Sequence, residues 1–102
     1  MRFENLEKFL IDDNQISSIP ENTLFRTIPN VQTFTISNNY LRDIPTDLFL
    51  LIFLENINFY GNYIKKIHNE YLLNANNLKN YLKKNIYIQM SKNILKKNKR
   101  KK

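Results

Sequence analysis

Few residues in this 102-residue chain have the types and spacing that catalysis requires. Asp12 and Asp13 are its one adjacent pair of carboxylates. A pair that shares a proton or flanks one bond must face the same space, whereas neighbours along an extended strand point to opposite faces. His68 is the sole histidine and cysteine is absent, so the sequence offers neither a thiolate nor the several convergent ligands a metal site needs. A convex-surface position is the expectation for His68. Ser37 and His68 fall on opposite sides of the repeat that organises the chain, which leaves no Ser, His and Asp set. Gly61 is the single glycine, too few for a phosphate-cradling loop. The expectation is therefore no catalytic residues, no metal, no cofactor and no enzyme activity.

Composition places the chain among globular domains, with 42% hydrophobic and 25% charged residues. Its length suits one small domain. The longest apolar run, Leu48 to Leu54, is far shorter than the roughly 20 residues that span a bilayer. Charge interrupts the first residues, so they do not read as a signal peptide. The absence of cysteine suits a reducing compartment, and an intracellular location, cytoplasmic or nuclear, is expected.

The elements that position these residues come from a repeat. Leu6, Phe9, Ile11, Asn14, Ile16, Ile19 and Pro20 align with Val31, Phe34, Ile36, Asn39, Leu41, Ile44 and Pro45. Leu54, Ile57, Phe59, Asn62, Ile64 and Ile67 form a third copy. The pattern is L-x-x-L-x-L-x-x-N-x-L-x-x-L over residues 6–30, 31–53 and 54–77. Apolar residues two apart lie on one face of a short strand, one strand per copy. The pattern resembles the leucine-rich repeat family, in its variety of about 24 residues. The resemblance implies an α/β solenoid: a coil stack with a parallel concave sheet of three or four strands and an irregular or short-helical convex side. It also implies a protein-interaction scaffold with no reaction of its own.

Within that frame, Asn14, Asn39 and Asn62 turn inward where each strand ends, because a polar side chain among apolar ones must find backbone partners. They form a ladder between copies. Pro20 and Pro45 end the inward run and favour a helical or irregular return. Leu24 or Phe25, Phe49 and Leu72 plug the core from that side.

Residues 78–90 read as a degenerate fourth copy, in which Leu78 and Tyr81 begin a strand and Asn85, Tyr87 and Met90 fall near later consensus positions. The competing reading is an amphipathic helix, since Leu78, Leu82, Ile86, Met90 and Ile94 recur every four residues. The fourth strand is the favoured expectation, followed by a short helix or a disordered tail. Either element covers an end of the stack, which repeat arrays require.

Strand residues that do not enter the core line the concave face, and they are the expected partner-binding set: Lys8, Asp12, Thr33, Thr35, Ser37, Asn56, Asn58 and Tyr60, with Leu10 among them. A fourth strand adds Asn80 and Leu82. The partner itself is unidentified, and end-to-end self-association through exposed strand edges is also expected.

Charge divides the chain. Residues 1–78 hold six basic and nine acidic residues, a net of −3, while residues 79–102 hold ten basic residues and no acid. The tail, residues 91–102, is expected to be disordered. Lys96, Lys97, Lys99, Arg100, Lys101 and Lys102 carry the alternative function, weak salt-sensitive binding of RNA, DNA or an anionic surface, or nuclear targeting.

Overall fold

A computed structural model describes residues 1–64, 80–82, 84–86 and 88–89, with Thr46 and Phe49 described through their backbone alone. Three strands, β1 (Lys8–Leu10), β2 (Thr33–Thr35) and β3 (Asn56–Asn58), form one parallel sheet in the order β1-β2-β3. Phe9, Phe34 and Ile57 stand side by side in register, as the repeat spacing demands. Successive side chains on a strand alternate between faces. Each central residue therefore points to the apolar side, and Phe9 stacks on Phe34 with ring centroids 6.0 Å apart and planes within 10°.

Between strands the chain returns through short helical pieces, α1 (Thr23–Thr27) and a 3-10 helix (Thr46–Leu50). The 3-10 helix begins directly after Pro45, and α1 three residues after Pro20. The Pro20 carbonyl accepts the Thr23 N–H and the Pro45 carbonyl accepts the Leu48 N–H, so the fixed proline φ starts a turn at the same place in each copy. The two returns are tied together by Asp47, a buried carboxylate that accepts the Phe25 N–H at 2.9 Å. That bond satisfies a donor in the first turn of α1 that has no partner inside the helix. Leu24 enters the core while Phe25 is 37% exposed, which decides between the two for the first return. Leu48 and Leu51 are buried in the second return. The Phe49 side chain, Leu72, Ile67 and His68 lie outside the described residues.

The strands end alike. Asp13, Asn38 and Gly61, each just before a ladder asparagine, have φ of 59°, 55° and 78°. Asp, Asn and Gly are the residues that enter this left-handed region most readily, so each copy solves the same turn with a different permitted type. At Gly61 a Cβ would overlap the Asn38 side-chain oxygen, which makes glycine a steric requirement as well as a conformational one.

The core is unevenly sealed. Val31, Phe34, Ile36 and Leu41 of the second copy are buried, as are Leu54, Ile57, Phe59 and Ile64 of the third. Their counterparts in the first copy, Leu6, Phe9, Ile11 and Ile16, are only partly buried, with Ile19 and Ile44 packed beside them in the same state.

At the other end the expectation of a fourth strand is corrected. Residues 80–82, 84–86 and 88–89 are helical, and Leu82 and Ile86 are buried while Tyr81 and Ile88 are exposed. The four-residue apolar spacing outweighed the imperfect repeat because a helix places Leu82 and Ile86 on one face, whereas a strand in that register would have put Lys83 on an inward position. Asn80 is an exposed helical residue and Leu82 a core residue, so neither joins a concave strand. Asn85 is helical and partly buried and takes no place in the ladder. Leu78, Lys83, Tyr87, Met90, Ile94 and the basic tail lie outside the described residues.

Candidate protein-interaction face

The face opposite the core is built in rows by the sheet register. Lys8, Thr33 and Asn56 form one row and Leu10, Thr35 and Asn58 the next. Beyond the strands the parallel pairing continues, with the Asp13 N–H donating to the Ser37 carbonyl and the Asn38 N–H to the Tyr60 carbonyl. Asp12, Ser37 and Tyr60 therefore make a third row. Leu10 is 61% exposed, Lys8 and Asn56 are exposed, and Thr33, Asn58 and Tyr60 are partly covered.

Asp12 organises the middle of this face. Its carboxylate accepts the Thr35 hydroxyl at 2.8 Å, the Ser37 hydroxyl at 2.8 Å and the Ser37 N–H at 2.6 Å. Burial pushes the Asp12 carboxyl up, but the bonds from the Ser37 hydroxyl, the Thr35 hydroxyl and the Ser37 N–H together outweigh it and hold the group below its ordinary value. The three side chains are thus held together by their mutual hydrogen bonds. Asp13 turns elsewhere, accepting the Asn38 amide at 2.9 Å, so the adjacent carboxylates serve separate contacts. Asn56 donates weakly to the Thr33 hydroxyl at 3.4 Å, and Asn58 accepts the Tyr60 N–H at 3.0 Å.

Under this face the asparagines are held by backbone. Asn39 donates to the Ile36 and Ser37 carbonyls of its own copy and to the Ile11 carbonyl of the preceding one, and accepts the Ile16 N–H at 3.0 Å. Asn62 repeats the arrangement, donating to the Ile36 and Phe59 carbonyls and accepting the Leu41 N–H. Asn14 is exposed and bonds only its own turn, at the Ile11 and Asp12 carbonyls.

Sequence reasoning missed Gln89. From the helix it donates to the Ile57 carbonyl and accepts the Phe59 N–H, both at 2.7 Å and buried. These are the two groups on the free edge of β3 that a further parallel strand would take. The available signal was its place on the inward stripe three residues after Ile86.

Among the described residues no three His, Asp or Glu side chains converge as a metal site, and no described helix is long and apolar enough to cross a membrane. Comparison with known proteins gives a partial answer. No family model matches the chain and no solved structure does. One curated relative does match. Over 56 residues the chain is 41% identical to osteomodulin of Bos taurus, a leucine-rich-repeat protein. The match takes in 55% of this chain and spans 13% of osteomodulin's length. This likeness and the open three-stranded parallel sheet are compatible with a leucine-rich-repeat-like α/β fold.

Proposed function

We propose that the chain is a short leucine-rich-repeat solenoid that acts as a non-enzymatic protein-interaction module through its concave face. The observation that carries the reading is the pre-ordered centre of that face. Asp12 already holds Thr35 and Ser37, with Lys8 and Leu10 exposed on one side and Asn56, Asn58 and Tyr60 on the other. Side chains fixed in advance lose less freedom on binding, and an aromatic ring beside amides is a common anchor at protein contacts. The partial likeness to osteomodulin supports a protein-interaction role at the level of the repeat. Crosslinking and capture with the parent chain, Tyr60→Ala, Asn56→Ala and an Arg26→Ala control on the return side tests it. Partners lost with the two concave variants and kept by the control are expected; an identical partner set for all four sinks the reading.

A second reading rests on the charge of residues 79–102, ten basic residues with no acid. The tail would bind RNA or DNA through phosphate contacts, and its affinity would fall steeply with salt. Neutralising Lys96, Lys97, Lys99, Arg100, Lys101 and Lys102 together to Gln should abolish RNA binding at low salt. Binding that persists assigns it to another surface.

A further inference from the structure

We draw no further inference here: the strongest candidate, the cavity on the return side where Glu21, Asp43 and Asp47 gather beside Ser17 and Ser18, is an acidic cluster whose buried carboxylate, Asp47, already accepts the Phe25 N–H, and no second observation there points to a ligand.

Discussion

Gln89 stands to Phe59 as the next strand's peptide group would. Its side-chain carbonyl accepts the Phe59 N–H at 2.7 Å while its amide donates to the Ile57 carbonyl, two residues earlier on the same edge. In a parallel ladder one residue of the neighbouring strand makes this same pair of bonds. A primary amide presents an N–H donor group and a carbonyl acceptor side by side, so a helix that carries it can end a sheet without contributing a strand. Gln89→Ala should remove both buried bonds, a loss of about 2–6 kcal/mol at roughly 1–3 kcal/mol per backbone group deprived of this partner. Urea unfolding of parent and variant measures it, and a change below about 1 kcal/mol would show that water replaces the amide.

The asparagine positions should be unequal. Asn39 is buried with partners in two copies, whereas Asn14 is exposed and bonds only its own turn. Asn39→Leu is expected to destabilise the chain by about 2–4 kcal/mol and Asn14→Leu by less than about 1 kcal/mol. Thermal unfolding of both variants is the measurement. Equal losses would contradict the account of the ladder.

Acid should weaken the centre of the face opposite the core. Asp12 has a folded-state pKa below its unfolded value of 3.8, so it contributes stability above that value and loses it as pH falls through the folded one. Asp12→Asn should therefore lower the melting temperature at pH 7, and the gap to the parent should narrow as pH falls below 3.8 and through the folded value. A gap that stays constant across this range would mean that the carboxylate charge is not what holds Thr35 and Ser37.

Gly61 is constrained twice, by φ and by the Asn38 side chain. Gly61→Ala should destabilise the chain by about 1–3 kcal/mol, from left-handed strain plus displacement of Asn38. Asn38→Gly in the same chain removes the overlap and leaves the strain. The double variant should thus be more stable than the sum of the two single changes predicts, and simple additivity in denaturant unfolding would refute the steric half of the explanation.

By itself the sequence determined what repeats. Phe9, Phe34 and Ile57 are in register because apolar spacing is a local constraint satisfied three times, and each copy supports the alignment of the others. Pro20 and Pro45 likewise mark the start of both helical returns. Asp13, Asn38 and Gly61 show how a turn can repeat while its residue changes, a regularity visible only once backbone angles are known. Tertiary structure decided what does not repeat. The Asp12 contacts with Thr35 and Ser37 join residues more than 20 positions apart, and Gln89 reaches more than 30 back to Ile57. A contact made once leaves no period in the sequence, and an amide on a helix has no preferred partner until packing places a strand edge before it. For the same physical reason the amide seal on the β3 edge, written nowhere in the repeat, emerged only from the folded chain.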